Sequence, residues 1–302
     1  AGRRDAPAPG RRAVDVETPR GRFVRPASLA DALALLADHP DALVLAGGTD
    51  VGEGVNLANR PAGLICDIAG LPELTGVSLG EDAVEIGAGV PIADLPRRLA
   101  GRLPLLDAVV PLFASTQIRN RATLGGNLGT ASPIGDGSPA LLALGAELVL
   151  ASAAGERRLP VAEFFTGYRT TALRPGELIA RIVVRDPGEL AGFHKVAKRR
   201  HDDISAVAVA YDLRLAGGLV ARARIGLGGV AATPIRARAT EEALTGRPWT
   251  AETARAAAET LAAECTPLDD LRASAAYRRA MLGESLVTFQ REHPAAAEGS
   301  HR

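Results

Sequence analysis

The chain has 302 residues, of which 47% are hydrophobic and 23% charged, and its 35 basic residues balance 35 acidic ones. This length is sufficient for more than one hydrophobic core, and the apolar content argues against intrinsic disorder. Because the net charge is zero, no long-range field attracts nucleic acid or a lipid surface, and we expect neither partner.

The amino-terminal region is predicted to change from a linker to a folded domain near Phe23. Residues 1–21 are rich in Pro, Ala, Gly and Arg, a composition typical of a flexible linker. Ser28 followed by Asp31 then predicts a helix start of the capping-box type. Apolar residues recur at helical spacing after this start, and Pro40 predicts the end of the helix.

Short apolar runs and alternating patterns predict the next elements in chain order. The runs at 42–46 and 64–68 predict buried strands. The alternation of apolar and polar residues over 77–88 predicts half-buried strands. Residues 104–113 predict a helix, and residues 147–150 predict a further strand.

A polar, glycine-rich passage at 115–137 is predicted to be a long loop. Loops of this length within a compact domain usually have a function. The passage ends at Ser138 and Pro139, where a proline in the first turn predicts the start of a helix.

The last third of the chain is predicted to begin with a β-hairpin. Gly217 and Gly218 stand between two apolar runs, at 204–215 and 219–227, which is the pattern of a two-residue hairpin turn. The sequence that follows is rich in alanine and predicts helices. The change in sequence character near residue 188 predicts a domain boundary there.

The first glycine-rich loop follows the strand predicted at 42–46 and contains Gly47, Gly48 and Thr49. Glycines allow a tight turn that points successive backbone N–H groups at one spot, which suits a phosphate. Thr49 can add a hydroxyl donor. A turn of this kind also ends many ordinary strands, so by itself the loop leaves that alternative equally open.

The second glycine-rich loop, residues 123–127, contains Gly125 and Gly126 and lies within the long polar passage. Two such loops from separate segments suit a dinucleotide, because one can bind the diphosphate while the other binds the sugar and ring. The alternative is a purely structural Ω-loop, which the length and polarity of the passage make less favourable.

A dense run of charged residues at 195–203 ends in Asp202 and Asp203. Such a run is usually a solvated turn, and that alternative stays open. Its cations could instead stabilise an anionic reduced flavin or bind the phosphates of a second nucleotide. The two carboxylates could then accept hydrogen bonds from ribose hydroxyls.

A third glycine-rich segment, 226–231, matches the looser dinucleotide fingerprint G-x-G-x-x-A. The strand before it belongs to the predicted hairpin rather than to a β-α-β unit, and Pro234 follows closely, so we interpret it as a strand-to-helix turn. The sequence contains no G-x-x-x-x-G-K-[ST] or H-E-x-x-H motif. The corresponding ATPase and metalloprotease functions are therefore not supported.

The two cysteines, Cys66 and Cys265, lie far apart in the sequence. An iron–sulfur cluster needs four ligands, and no Cys/His set has the spacing of a zinc site, so we predict no metal centre in this chain. With no disulfide framework and no apolar run long enough to span a bilayer, we expect a cytoplasmic protein without membrane insertion.

Several longer motifs together resemble one known family. They are LAGGTDVG at 45–52, QIRNRATLGGNLGTASPIGD at 117–136, FFTGYRTTALRPG at 164–176, KVAKRRHDDIS at 195–205 and TPLDDLRAS at 266–274. In this order and at this spacing they resemble the FAD domain of xanthine dehydrogenases, which are molybdenum hydroxylases. The resemblance covers about residues 23–290.

The resemblance implies an α+β fold of the vanillyl-alcohol-oxidase (PCMH) type, in which two α+β subdomains clasp FAD, followed by a C-terminal α+β domain of the CO dehydrogenase flavoprotein type. The implied division of the chain is a flexible linker at 1–21, an FAD-binding domain at 22–187 with subdomains at about 22–75 and 76–187, a C-terminal domain at 188–292 and a flexible tail at 293–302.

The resemblance also implies which residues bind FAD. Loops 44–51 and 123–127 would bind its diphosphate and neighbouring sugar, and the remaining residues would contact the ring system and its polar groups. The implied cofactor-binding residues are Val44, Leu45, Ala46, Gly47, Gly48, Thr49, Asp50, Val51, Phe113, Thr123, Leu124, Gly125, Gly126, Asn127, Asp136, Ile179 and Lys195.

A second set of residues would face NAD, namely Asp50, Ile134, Tyr168 and Asp202. In the family, molybdopterin oxidises a purine, iron–sulfur clusters relay the electrons, and FAD passes a hydride to NAD. Because the reactive group is the flavin, we nominate no catalytic residue. Without cluster-binding cysteines here, the iron–sulfur and molybdopterin domains are expected on partner chains or on other parts of a longer chain, assembled as a dimer of heteromers.

Three alternatives remain open on the sequence alone. The chain could be the flavin subunit of another molybdenum hydroxylase, such as an aerobic carbon monoxide dehydrogenase or a nicotinate dehydrogenase. It could be a free-standing flavin reductase of the same fold, although no residue presents itself as the general acid that such an enzyme needs. It could also be a non-catalytic subunit that has lost FAD, which the intact glycine loops disfavour.

Overall fold

The computed structural model describes residues 3–4, 12–58 and 63–294. Residues 1–2 and 5–11 of the predicted linker and residues 295–302 of the predicted tail lie outside the described residues. The elements of the first part of the chain are β1 (Arg3–Arg4), β2 (Val14–Thr18), β3 (Gly21–Arg25), α1 (Leu29–Asp38), β4 (Leu43–Leu45), α2 (Thr49–Ala58) and β5 (Leu64–Asp67).

These elements form a small α+β subdomain around a four-stranded sheet with strand order β2-β3-β5-β4. Strands β3, β5 and β4 are parallel, and β2 is antiparallel to β3. Helix α1 begins where the sequence predicts, because the Ser28 hydroxyl accepts a hydrogen bond from the Asp31 amide. Strand β4 leads through Gly47 and Gly48 into α2.

The prediction that residues 1–21 form a linker is wrong at two places. Residues 14–18 form the edge strand β2, paired with β3 along its whole length, and Arg3–Arg4 pair with Ser78 and Leu79. Most of β2 is exposed, and Val16 is 48% exposed. A strand that is stabilised mainly by backbone hydrogen bonds leaves little hydrophobic pattern for a sequence analysis to detect.

The second subdomain is built on a six-stranded antiparallel sheet with strand order β1-β6-β7-β12-β8-β9. Short helices pack on it, and its core includes Ile86, Leu148 and Ile182. Its elements are β6 (Val77–Leu79), β7 (Val84–Gly87), α3 (Leu95–Leu99), α4 (Pro104–Val109), α5 (Thr116–Arg119), α6 (Leu124–Gly129), α7 (Gly137–Ala143), β8 (Glu147–Ser152), β9 (Gly155–Pro160), β10 (Phe165–Gly167), β11 (Thr170–Thr171) and β12 (Leu178–Val184).

The passage at 115–137, predicted to be one long loop, contains the short helices α5 and α6. Helix propensity does not predict α6, because three of its six residues are glycine, the poorest helix former apart from proline. It forms because Thr123 caps it: the Thr123 hydroxyl accepts a hydrogen bond of 2.9 Å from the Gly126 amide.

The third domain is a four-stranded antiparallel sheet with order β13-β14-β15-β16, covered on one face by three helices. Gly217 and Gly218 form the predicted hairpin turn, with φ of 55° and 73°. The elements are β13 (Leu190–Val196), β14 (Val207–Ala216), β15 (Leu219–Gly228), β16 (Ile235–Arg236), α8 (Arg238–Leu244), α9 (Ala251–Ala263) and α10 (Ala275–Glu292).

The other face of this sheet packs against α7 of the second subdomain. Ala208 and Ala210 of β14 are fully buried in the core of that subdomain. A Cβ atom on Gly226 of β15 would lie 1.9 Å from the carbonyl oxygen of Pro139, so only glycine permits this approach. The third domain is therefore tightly docked on the second subdomain.

The core of the third domain contains a polar contact between β14 and α10. Tyr211 is fully buried and stacks on Phe289, and its hydroxyl lies 2.8 Å from the hydroxyl of Ser285. We expect Tyr211→Phe to lower the free energy of unfolding by about 1 kcal/mol, because a buried hydrogen bond is lost. Urea unfolding measures this, with Tyr277→Phe as the control because Tyr277 is 46% exposed. Equal midpoints for the two variants would contradict the prediction.

Among the described residues, none of the helices has both the length and the apolar character required to cross a bilayer. In the same part of the chain, no group of three or more His, Cys, Asp or Glu side chains is arranged to bind a metal ion.

Candidate nucleotide-binding cleft

The two predicted glycine loops meet in one cleft of about 670 Å³ between the first and second subdomains. We call it the larger cleft. Its lining residues are Leu43, Val44, Ala46, Gly47, Gly48, Thr49, Asp50, Val51, Glu53, Ile68, Ala88, Phe113, Ala114, Ile118, Ala122, Thr123, Gly125, Gly126, Asn127, Gly129, Thr130, Ser132, Ile134, Gly135, Arg169, Leu173, Glu177, Leu178, Ile179 and Ile204.

The first loop turns sharply because of its two glycines. A Cβ on Gly47 would lie 2.1 Å from the carbonyl oxygen of Arg121, so the loop can contact the second subdomain only with glycine at this position. Gly48 has a φ of 78°, which favours glycine. Helix α2 starts directly after the turn, and the first amides of a helix lack partners within the helix.

The two glycines of the second loop have different roles. A Cβ on Gly125 would lie 2.6 Å from the Cβ of Ala88 and 2.7 Å from its carbonyl oxygen, so Gly125 is required for packing. A Cβ on Gly126 would contact only the Thr123 hydroxyl, at 3.1 Å. Gly126 therefore leaves its backbone accessible from the cleft. Asn127 also lines the cleft, and its side-chain oxygen accepts a hydrogen bond from the Gly137 amide.

The larger cleft continues into a smaller cavity of about 380 Å³. We call this the smaller cavity, and it adds charged residues from the third domain to a wall shared with the larger cleft. Its lining residues are Phe113, Ala114, Asn127, Ile134, Gly135, Asp136, Arg199, Asp202, Asp203, Ile204 and Arg272. The predicted domain at 188–292 thus contributes to the site through the loop between β13 and β14 and through Arg272.

Backbone strain is concentrated around these two cavities. Five non-glycine residues of the described chain have a positive φ, and three of them line a cavity: Ala114 at 41°, Arg169 at 53° and Asp202 at 49°. Left-handed backbone at such residues costs about 1–3 kcal/mol and persists where the surrounding structure enforces it, commonly at ligand sites.

A buried ion pair connects the third domain to the wall of the site. The ammonium of Lys195 donates to Asp136 at 2.7 Å and to the carbonyl oxygen of Leu112 at 2.9 Å, and the Ser205 hydroxyl donates to the other Asp136 oxygen. The side chains of Lys195 and Asp136 are only 5% and 9% exposed. Burial raises the pKa of the Asp136 carboxyl, and its contacts with Lys195 and Ser205 oppose this rise.

Residues 17–185 match the model of a protein family described as the FAD binding domain in molybdopterin dehydrogenase. The chain belongs to this family. Residues 193–293 match a second family model, the CO dehydrogenase flavoprotein C-terminal domain. These matches and the observed architecture confirm the predicted fold class.

Three similar proteins illustrate the range of the family. The putative xanthine dehydrogenase FAD-binding subunit of Escherichia coli is 35% identical over 92% of this chain and 97% of its own length. Nicotinate hydroxylase of Emericella nidulans is 36% identical over 75% of this chain, which spans only 18% of that protein. A solved structure of carbon monoxide dehydrogenase from Hydrogenophaga pseudoflava matches with a TM-score of 0.85 at 34% identity, over 90% of this chain and 96% of that one.

The residues of the larger cleft fit the cofactor of this family. Gly126 lines the cleft without a side chain that would exclude a diphosphate, and the start of α2 offers backbone N–H groups on the other side. Phe113, Ala114 and Ile179 form an apolar wall suited to a flat ring system. An apolar cleft with a few convergent polar groups is the usual form of a cofactor site.

Most of the residues predicted to contact FAD or NAD line one of the two cavities. The exceptions are Leu45, Leu124, Lys195 and Tyr168. Leu124, the first residue of α6, is buried, and the Lys195 ammonium is hydrogen-bonded to Asp136 and to the Leu112 carbonyl oxygen.

Tyr168 is 65% exposed at the turn between β10 and β11, and it is the neighbouring Arg169 that lines the larger cleft. Arg169, Glu177 and Arg272 also line the cavities and were not predicted from the sequence. Glu177 forms an ion pair with Arg157 at 2.7 Å, which lowers the pKa of the Glu177 carboxyl. Arg169 and Arg272 both lie in motifs that carry the family resemblance, which was the available signal.

Proposed function

We propose that this chain is the FAD-carrying electron-transfer component of a molybdenum hydroxylase of the xanthine dehydrogenase type, with NAD as the electron acceptor. The observation that carries the proposal is the pair of adjoining cavities, because two nucleotides that exchange a hydride must lie side by side. They share the wall formed by Phe113, Ala114 and Ile134.

FAD bound in the larger cleft would supply the redox chemistry, taking up electrons that arrive from iron–sulfur clusters and passing a hydride to NAD. The residues of this chain bind and orient the two nucleotides. The loops at Gly48 and Gly126 provide backbone approach to a diphosphate, and the wall around Phe113 separates the ring system from water. Asp202 faces the smaller cavity, where its carboxylate can accept hydrogen bonds from ribose hydroxyls.

The partners follow from the same proposal. This chain corresponds to almost the whole of one relative and to 18% of another, so its fold occurs both as a separate subunit and as part of a longer protein. We propose an iron–sulfur component and a molybdopterin-binding large component as partners, in a dimer of heteromers that oxidises a purine.

A carbon monoxide dehydrogenase component is the second candidate, and it is favoured by the TM-score of 0.85 with the enzyme from Hydrogenophaga pseudoflava. The two candidates differ in the substrate of the molybdenum component. Purification of the native complex and assay with xanthine and with carbon monoxide distinguishes them. Oxidation of carbon monoxide but not of xanthine would overturn the xanthine assignment and leave the flavin role intact.

Rapid mixing of the reduced flavoprotein with the acceptor tests the role of NAD. We expect NAD to reoxidise the chemically reduced, FAD-loaded chain in a stopped-flow experiment under anaerobic conditions, with NADH formed in equal amount to the flavin oxidised. Reoxidation by oxygen but not by NAD would contradict the acceptor assignment.

A further inference from the structure

Residues 268–274, which connect the buried Cys265 and Pro267 to α10, are held in place mainly by polar contacts. They contain neither helix nor strand, and Leu268 and Leu271 are 76% and 84% exposed. Leucines that face solvent add little stability through the hydrophobic effect. The conformation of this stretch therefore depends on polar contacts.

These polar contacts converge on Asp270 and on the backbone beside it. The Asp270 carboxylate accepts a hydrogen bond of 2.8 Å from the Arg272 amide and pairs with the buried guanidinium of Arg278 at 2.6 Å. Lys198, from the loop that lines the smaller cavity, donates to the Leu271 carbonyl oxygen at 3.0 Å. The network positions Arg272 at the smaller cavity.

The charged groups of the smaller cavity are mostly paired with one another. Arg199 pairs with Asp203 at 3.5 Å, and Asp136 pairs with Lys195 at 2.7 Å. Within the described part of the chain, the guanidinium of Arg272 and the carboxylate of Asp202 form no ion pair or hydrogen bond. The cavity thus presents one uncommitted cation and one uncommitted anion.

We propose that Arg272 binds a phosphate group of the acceptor nucleotide and thereby sets the preference of the smaller cavity for a phosphorylated acceptor. This inference rests on the proposed function, which places the acceptor in that cavity. A guanidinium is suited to the task because its planar set of N–H donors matches the oxygens of a phosphate.

The chemistry of the cavity distinguishes a nucleotide from an uncharged acceptor. A nucleotide brings a phosphate for Arg272 and ribose hydroxyls for Asp202, so that each uncommitted group gains a partner. An uncharged acceptor would leave the half-buried guanidinium without a counter-charge, which is unfavourable.

Binding of ADP-ribose to the FAD-loaded chain tests the proposal without a redox reaction, because this probe has the diphosphate and ribose of NAD but no nicotinamide. We expect Arg272→Gln to weaken ADP-ribose binding about tenfold in isothermal titration calorimetry, the loss typical of one partly exposed charged hydrogen bond. Arg272→Lys should recover part of the affinity. The matched control is Arg255→Gln, an exposed arginine on α9 away from both cavities, which should leave affinity unchanged.

The kinetics give a second readout. In Arg272→Gln the NAD concentration for half-maximal reoxidation should rise about tenfold, while the limiting rate and the flavin spectrum stay unchanged, because phosphate binding is equal in the ground and transition states. Wild-type affinity for ADP-ribose in this variant, or no binding by the wild type, would overturn the inference. Arg272-dependent binding of ADP-ribose without reoxidation by NAD would support the inference and contradict the acceptor assignment instead.

Discussion

Replacing Gly126 by leucine is expected to give a folded protein that does not retain FAD. The only described neighbour of a Cβ at this position is the Thr123 hydroxyl, at 3.1 Å, so a leucine side chain would project into the larger cleft. There it would block the approach of a diphosphate to the backbone. A diphosphate displaced by this side chain would lose its close contacts with the loop, and a loss of about 2.8 kcal/mol corresponds to an affinity about 100-fold lower. Flavin absorbance after gel filtration and a fluorescence titration with FAD measure the effect.

The control for this variant is Gly63→Leu. Gly63 is exposed, its backbone φ is not in the positive range, and no atom lies within 4 Å of a Cβ built there, so this variant should remain yellow. Gly125 would be a poor choice, because a side chain there collides with Ala88 and would disturb packing as well as binding. Normal FAD binding by a folded Gly126→Leu protein would contradict the placement of the cofactor.

Replacing Lys195 by methionine is expected to lower the free energy of unfolding by about 3–5 kcal/mol, because it leaves the Asp136 carboxylate buried without a counter-charge. The ion pair between Lys195 and Asp136 is almost completely buried, with both side chains less than a tenth exposed. Chemical denaturation at neutral pH measures the loss. The double variant Lys195→Met with Asp136→Leu should recover most of it, because removal of both charges ends the desolvation penalty.

The effect of Lys195→Met should depend on pH in a definite direction. Burial raises the pKa of Asp136 in the folded state, so the folded protein binds this proton more tightly than the unfolded chain does. The resulting contribution to the free energy of unfolding is lost as the pH rises through the folded-state pKa. Loss of Lys195 removes an interaction that opposes the rise. The difference in stability from the wild type should therefore narrow as the pH is lowered below neutral. A constant difference would contradict the assignment of Asp136 as the uncompensated charge.

The glycine loops could be predicted from the sequence because their requirement is local. A strand that ends in Gly47 and Gly48 must turn, and two such loops in one chain suggest a common ligand. The close approach of the two loops could not be predicted in this way. It depends on the contact between Gly47 and the Arg121 carbonyl, which lies more than seventy positions further along the chain.

The features that could not be predicted from the sequence depend on tertiary contacts or on backbone hydrogen bonds. Arg272 reaches the smaller cavity only because the third domain docks on the second subdomain, and the neighbouring Leu271 carbonyl is held by Lys198, which lies 73 positions away in the sequence. Strand β2 was missed because it is exposed, and α6 because it is rich in glycine. In each case tertiary contacts or backbone hydrogen bonds override the local pattern.

The contact between Gly226 and Pro139 has a consequence for the alignment of the smaller cavity. Backbone packed this closely leaves no room for a side chain at position 226, and close-packed contacts of this kind resist gradual deformation. The loop with Asp202 belongs to the third domain and the wall with Phe113 to the second subdomain, so this contact helps to fix how the two sides of the smaller cavity face each other. The proposed hydride transfer would be sensitive to small errors in alignment, and such a contact would supply part of that alignment before the acceptor binds.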